Sequence, residues 1–458
     1  MKLEQFTSIY FIGAGGIGMS ALVRYFLSQN KSVGGYDRTP TPLTRSLEKE
    51  GADIHYTDNK ELISSHFRDN TNTLIVYTPA IPSSHSELQY FTENNFTIVK
   101  RAEVLGLITQ SSKGLCVAGT HGKTTTSAIL AHLLHNSTIG CTAFLGGITQ
   151  NYHTNLLLHP TSPYTVIEAD EFDRSFHHLS PYISIITSAD PDHLDIYGTE
   201  EAYYDSFKQY TSLISPGGKL IIRKDLPFEP KLNKGVSLLT YSKDSGDYYS
   251  ENIVIENGEI YMDFIGPDIR INNIQLGVPI SINIENSIAA LAVAHACGAT
   301  SSELKLAMKS FKGVERRFDF VLKTDNTVLV NDYAHHPAEI KQSILSIQEL
   351  YPNRKLTVIF QPHLYSRTND FYTNFAESLS LADEVILLPI YPAREEPIKG
   401  VTSKLIFDNL SKKIDKSLIE KDELTKQLNK NKPEIVLTLG AGDINLMLPE
   451  IKALLKTI

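Results

Sequence analysis

The segment Gly119-Thr120-His121-Gly122-Lys123-Thr124-Thr125 follows the apolar run LCVA and leads into a helical pattern from Thr124 to His135. Residue types in this order suit a polyphosphate. Glycines let backbone N–H groups close around phosphate oxygens, a lysine supplies a point charge to the β- and γ-phosphates, and a hydroxyl can ligate a divalent ion. The stretch departs from the common G-x-x-x-x-G-K-[ST] pattern at its first glycine, where Val117 stands, so a tighter or differently entered loop is expected. Two acidic clusters end the next apolar runs. YTVIEADEFDRSF carries Glu168, Asp170, Glu171 and Asp173, and SIITSADPDHLD carries Asp190, Asp192, His193 and Asp195. In a parallel sheet all strand C-termini share one edge, so Lys123, Glu168 and His193 are expected to converge on a metal-assisted ATP site. The bland alternative for any one of these acids is N-capping or loop solvation. Mg²⁺ prefers oxygen ligands, and the imidazole of His193 would make Mn²⁺ acceptable as well.

Two further constellations stand outside this region. Gly13, Gly15, Gly16 and Gly18 follow the strand-like run SIYFI, and Asp37 ends the next one. Such a loop brings backbone N–H groups to a diphosphate at a helix N-terminus, while the acid can bind a ribose or a base edge. That geometry serves any nucleotide diphosphate, NAD included. Near the C-terminal end, NDYAHHP and QPHLYSRTND close two successive strand-like runs, so Asp332, His335 and Arg367 share another sheet edge. A guanidinium and an imidazole there could hold a small carboxylate. The bland alternative for whichever of His335 and His336 stands outside that site is capping of a helix that opens on Pro337. His132 and His135 are read as helix-surface residues rather than ligands.

The elements needed to position these residues are legible as rhythm. Short apolar runs alternate with helix-compatible stretches over the first hundred residues, again after Ser112, and again beyond Arg316 and Arg317. The stretch from about 214 to 280 carries a two-residue period and reads as antiparallel, and NIENSIAALAVAHACG reads as a helix ended by Gly298. The expected fold is α/β with three domains, at 1–108, 109–317 and 318–458: Rossmann-like, central ATPase with a mostly parallel sheet plus an antiparallel part, and Rossmann-like again. The Lys-rich stretch 404–432 is expected to form solvated helix faces.

Composition narrows the partners. A chain of 458 residues allows roughly three domains, and its 41% hydrophobic content predicts packed cores. The net charge of −9 offers no global positive field for nucleic acid. Cys116, Cys141 and Cys297 have no paired spacing, which excludes a cysteine zinc site and a disulfide framework. No apolar stretch approaches bilayer length, so a cytoplasmic chain without membrane insertion is expected, as a monomer or homodimer.

Taken in order, GAGGIGMS, GTHGKTTT, EADEFDRSF, SADPDHLD, ERRFDF, DYAHHPAE and QPHLYSRT resemble the Mur ligases of peptidoglycan synthesis over all three domains, and most nearly the L-alanine branch. The resemblance implies ATP-dependent amide formation between the lactyl carboxylate of UDP-N-acetylmuramate and L-alanine through an acyl phosphate. It implies Lys123 on the β/γ-phosphates, and Thr124, Glu168 and His193 on the metal. It implies Asn286 beside adenine, Arg317 on the γ-phosphate, Asp332 at the ribose, and His335 and Arg367 at alanine. The family pattern has a histidine where this chain has Ile282. Lys208 stands where some family members carry a carbamylated lysine, and is expected to be an ordinary surface residue. Rival readings are the tripeptide-recycling branch of the same family, an NAD-dependent dehydrogenase resting on the first glycine loop, and a non-catalytic ATP-binding regulator.

Overall fold

The computed structural model describes residues 1–457 apart from 193 and 394. It is a three-domain α/β fold of mostly parallel sheets with antiparallel parts. The first sheet holds β1 (Ser8–Ile12), β2 (Ser32–Tyr36), β3 (Asp53–His55), β4 (Thr73–Tyr77) and β5 (Thr97–Lys100), in the order β3-β2-β1-β4-β5. All its pairings are parallel. Helices α1 (Ile17–Ser28), α2 (Pro42–Glu50) and α3 (Ser86–Glu93) lie in its crossovers, and α4 (Arg101–Gln110) leads from β5 to the second sheet. β1 is buried at every position, as a central parallel strand covered on both faces must be.

The second sheet contains β6 (Lys113–Ala118), β7 (Thr142–Phe144), β8 (Leu156–Leu157), β9 (Tyr164–Glu168), β10 (Pro181–Ile186), β11 (Lys219–Arg223) and β12 (Ser237–Tyr241). Its order is β12-β11-β10-β6-β9-β7-β8. The neighbours β9 and β10 run parallel to β6, so the loops after these three strands emerge side by side. Helix α5 (Lys123–His135) follows β6; α6 (Leu194–Tyr197) and α7 (Glu200–Thr211) follow β10. The antiparallel part is smaller than the two-residue period suggested. β11 and β12 join the parallel sheet, and the antiparallel part begins with β13 (Tyr249–Glu256), β14 (Glu259–Gly266) and β15 (Ile269–Gln275). The reason is tertiary: β11 pairs with β10 and β12 with β11, both in parallel, and a strand's own residues do not record the direction of its neighbour.

Asn155, fully buried beside β8, donates to the Ile17 carbonyl at 2.6 Å and to Ser20 Oγ at 2.9 Å, and accepts from Arg24 Nη1 at 2.6 Å. These bonds pin α1 to the central sheet within one compact unit, which comprises residues 1–252, 262–274 and 284–311.

That unit also holds most of α8 (Ile282–Ala296) and α9 (Ser301–Ser310). α5 has no solvent face over most of its length, being buried from Thr126 to Leu134. His132 is accordingly not a surface residue. It is 3% exposed, with Nε2 3.0 Å from the Ala307 carbonyl and 2.9 Å from Ser310 Oγ, and burial holds its pKa down to about 4. His135 is exposed, as expected.

The other unit comprises residues 253–261, 275–283 and 312–458. Its sheet runs β16-β17-β21-β18-β19-β20. The strands are β16 (Asp319–Lys323), β17 (Val328–Asp332), β18 (Leu356–Phe360), β19 (Glu384–Leu387), β20 (Asp415–Leu418) and β21 (Ile435–Leu439). Only β16 is antiparallel among them. The helices are α10 (Pro337–Leu350), α11 (Tyr365–Leu379), α12 (Lys404–Asn409), α13 (Leu424–Asn431) and α14 (Leu448–Leu455). The Lys-rich stretch 404–432 is therefore not all helix: it contains the edge strand β20. There Lys416 turns its ammonium onto the Phe407 and Leu410 carbonyls at the end of α12, a helix C-terminus that favours a cation.

Candidate active site

The phosphate loop is shaped by its glycines and by the strand beside it. Gly122 caps α5 at φ +81° and a Cβ there would stand 2.8 Å from Asn286 Oδ1, so position 122 has neither the conformational nor the steric room for a side chain. The loop is held open from β10: His121 N–H donates to Ser188 Oγ at 2.8 Å, and Thr187 Oγ1 donates to the Ala118 carbonyl at 3.1 Å. Beyond the cap, the first-turn N–H groups of α5 have no intrahelical acceptor, which makes an anion site.

Lys123 Nζ lies 2.7 and 2.9 Å from the two carboxylate oxygens of Glu171 and 2.6 Å from the Gly119 carbonyl. Glu171 is 2% exposed; burial pushes its carboxyl up and the Lys123 ammonium pulls it back. Thr124 Oγ1 donates to Glu168 at 3.0 Å, so a hydroxyl and a carboxylate meet at one point at the foot of α5. Asn286 joins the same region, accepting from Thr126 Oγ1 at 3.1 Å. Lys123, Thr124, Glu168 and Asn286 are thus brought together. His193 lies outside the described residues. Asp190 is exposed and its carbonyl accepts from Thr120 Oγ1 at 2.7 Å, while Lys208 is a surface residue paired with Asp205 at 2.8 Å.

The acids after β9 divide the labour. Glu168 takes Thr124 and Glu171 takes Lys123, whereas Asp170 and Asp173 reach the start of α4, pairing with Arg101 at 3.4 Å and Lys100 at 2.9 Å. In the first sheet, Gly15 N–H donates to Asp37 Oδ2 at 2.7 Å. Asp37 therefore braces the glycine loop from within, and in this conformation it uses one of the donors a diphosphate would take.

In the other unit, the loops after β17, β18 and β21 meet at their sheet's C-terminal edge. Asp332 accepts from Phe318 N–H at 3.3 Å and from Ser343 Oγ at 2.5 Å, and burial pushes its carboxyl up. His335 Nδ1 is 3.0 Å from the Tyr333 carbonyl, and Arg367 Nη1 is 3.4 Å from His363 Nδ1. The imidazoles of His335 and His363 are 6.2 Å apart, and the guanidinium groups of Arg316 and Arg317 lie over the Tyr333 ring at 4.6 and 5.4 Å. Desolvation and Arg367 hold His363 down to about 4, so at neutral pH the imidazole is uncharged and the arginines carry the positive field. The helix cap here comes from Glu339, whose carboxylate accepts from the N–H groups of both His335 and His336, not from a histidine ring. Arg316, His363 and Glu171 had no assigned part in the reading of the sequence. All three stood inside motifs already picked out, but only folding shows which acid of a run reaches the lysine.

Three family models match the chain in succession: "Mur ligase family, catalytic domain" over residues 8–113, "Mur ligase middle domain" over 117–294 and "Mur ligase, glutamate ligase domain" over 316–442. The chain belongs to the Mur ligase family. Among Mur ligases, a protein of Phocaeicola vulgatus named UDP-N-acetylmuramate–L-alanine ligase is 62% identical over 455 residues, 99% of each chain. One of the same name from Cytophaga hutchinsonii is 44% identical over 457 residues, 99% of this chain and 98% of the other. The crystal structure of the UDP-N-acetylmuramate–alanine ligase of Thermotoga maritima superposes with a TM-score of 0.82 at 28% identity, over 98% of this chain and 99% of that one. A murein peptide ligase of Psychrobacter arcticus shares the Mur ligase fold at a TM-score of 0.67 and 21% identity, over 99% of both chains.

Proposed function

We propose that this Mur ligase joins L-alanine to the lactyl carboxylate of UDP-N-acetylmuramate with cleavage of ATP to ADP and phosphate, as a step in making peptidoglycan precursors. The observation that carries the reading is the 62% identity, over 99% of both chains, with a relative named for that reaction. The tripeptide branch is supported by fold likeness alone, at 21% identity, and the dehydrogenase reading gives no part to Lys123, Thr124 or Glu168.

The residues fit the chemistry step by step. A carboxylate must approach the anionic end of ATP, and two unit charges 4 Å apart at an effective dielectric near 20 repel by about 4 kcal/mol. Lys123 is positioned to offset this by exchanging Glu171 for a γ-phosphate oxygen. The carboxylate oxygen attacks the γ-phosphorus, ADP leaves, and the acyl phosphate so formed is then attacked by the amine of alanine, which expels phosphate. Arg367 and His335 are assigned to the carboxylate of alanine; Arg317, Asp332 and Asn286 keep the nucleotide roles the family resemblance gives them. Gly13, Gly15, Gly16, Gly18 and Asp37 are assigned to the UDP moiety, with Asp37 turning from Gly15 when the diphosphate arrives. We take 1–108, 109–317 and 318–458 as the domains that bind the UDP-sugar, ATP and the amino acid, in a cytoplasmic protein.

Mg²⁺ suits the pair made by Thr124 and Glu168, since both present oxygen and stand 3.0 Å apart. An ion held by these two residues would neutralise charge on the β- and γ-phosphate oxygens. Among the described residues no group of three or more His, Cys, Asp or Glu forms a metal cage. The reading is tested by phosphate release with UDP-N-acetylmuramate, ATP and either L-alanine, the tripeptide or no amino acid. Release that requires the tripeptide, or that needs no amine at all, would overturn it. Among the described residues no helix is long and apolar enough to cross a membrane.

A further inference from the structure

Arg101 opens α4 at the C-terminal end of β5, and β4 alone separates that strand from β1, which carries the glycine loop at the same sheet edge. The side chain lies across Gly18: a Cβ at position 18 would stand 2.1 Å from Arg101 Nη1 and 3.1 Å from its Cζ. Glycine at 18 is thus what gives the guanidinium its place against the first turn of α1. On its other side the group meets Asp170 Oδ2 at 3.4 Å, a long contact between side chains that are 26% and 37% exposed. Asp170 is followed directly by Glu171, the partner of Lys123. One acidic dipeptide therefore holds both cations, the one facing the glycine loop and the one facing the phosphate loop.

We propose that Arg101 is a substrate-binding residue that takes an anionic group of the acceptor nucleotide, exchanging its loose contact with Asp170 for that group as Lys123 exchanges Glu171 for ATP phosphate. The proposal rests on the ligase reading above. The chemistry favours it on three counts. The guanidinium is a planar fork matched to two oxygens of a phosphate or a carboxylate. The pairing it gives up is solvent-accessible and weak. Its place beside the acid that governs Lys123 sets the acceptor's negative charge next to the donor phosphate, where the two reactants must meet. The shared ligand chemistry is an anionic oxygen pair, which the acceptor carries twice, in its diphosphate and in its lactyl carboxylate.

The test uses the full-length enzyme and the variants Arg101→Ala and Arg101→Gln. Each is assayed for KM toward UDP-N-acetylmuramate, ATP and L-alanine, and for calorimetric binding of UDP, UDP-N-acetylglucosamine and UDP-N-acetylmuramate. The expected result is a rise of about 10- to 100-fold in acceptor KM for both variants, with the ATP KM within about twofold of wild type. Weakened binding of all three UDP compounds assigns the contact to the diphosphate; weakened binding of UDP-N-acetylmuramate alone assigns it to the carboxylate. Glutamine keeps bulk and hydrogen bonding over Gly18 without the charge, so an acceptor KM restored by Arg101→Gln would make the residue a packing element and overturn the proposal. Unchanged acceptor KM and binding in Arg101→Ala would overturn it as well. Should the wild-type enzyme bind UDP-N-acetylmuramate yet form no amide with alanine, the ligase reading fails while the binding comparison still decides the part played by Arg101.

Discussion

Lys123 and Glu171 form a closed ion pair in which both carboxylate oxygens lie within 2.9 Å of the ammonium and the acid is almost wholly buried. The lysine at the centre of this loop is therefore already neutralised, and on the proposed reading ATP would compete with an internal carboxylate for it. Removing the acid should release the lysine to the nucleotide. Glu171→Gln is expected to tighten ATP binding several-fold in calorimetry, and an unchanged or weaker Kd would refute this exchange.

Removing the lysine has the opposite consequence. Lys123→Ala should lower kcat by about 10²- to 10³-fold, the scale of losing one charge-stabilising donor in the transition state. UDP-N-acetylmuramate binding should stay within about threefold, since the glycine loop that is assigned to it is untouched. ADP formation near the wild-type rate would contradict the assignment.

Thr124 and Glu168 should govern the divalent ion. Glu168→Gln is expected to shift the Mg²⁺ concentration for half-maximal activity upward by about tenfold or more, and excess chelator should abolish product formation by the wild type. A variant with an unaltered Mg²⁺ titration curve would place the ion elsewhere.

Stability should carry a pH signature from the first sheet. Glu87 is fully buried and accepts from Tyr10 Oη at 2.8 Å, and burial pushes its pKa from 4.5 up to about 7. The folded state thus holds this proton more tightly than the unfolded chain. Its contribution is fully present below about pH 4.5 and is lost as the pH rises through about 7, an effect on the order of 3 kcal/mol. His85, whose pKa burial depresses, acts in the opposite sense and is common to both proteins, while His55 lies 3.2 Å from Glu87, so the readout is the difference between wild type and Glu87→Gln, each carrying His55→Asn. That difference in unfolding free energy should move steadily in favour of the variant between pH 5 and 7.5; a flat difference would count against it.

At the other sheet edge, Arg367→Ala should raise the KM for alanine by about 10- to 100-fold with little change in the KM for ATP. Because His363 titrates near 4, protonation of that ring should give the wild-type alanine KM no inflection between pH 6 and 8. A variant with normal alanine KM would remove Arg367 from the amino-acid site.

Much of this was legible in residue order. The glycine-lysine-threonine run after β6 and the acids after β9 follow from parallel-strand logic, because only the strand ends needed to be located for Lys123, Thr124 and Glu168 to meet. What stayed hidden depends on side chains crossing between elements. Nothing in EADEFD says that Glu171 turns to Lys123 while Asp170 turns to Arg101, since all the acids of the run share one type and lie within six residues. His132 was misread because one helix pattern cannot reveal that α5 is covered along most of its length. β11 and β12 were misread because the direction of pairing is set by the neighbours a strand finds, β10 and β11 here, and the strand's own residues do not record it.

The Asn155 amide gives the molecule a seam that could be opened by chemistry foreign to either nucleotide. The Asn155 side chain ties the helix behind the glycine loop to the sheet behind the phosphate loop with bonds of 2.6 to 2.9 Å, beside the edge-on contact of Tyr25 with Phe144. A molecule wedged there, resembling none of the natural reactants, would slacken both grips at once, and by the same linkage accumulated reactants would oppose its binding.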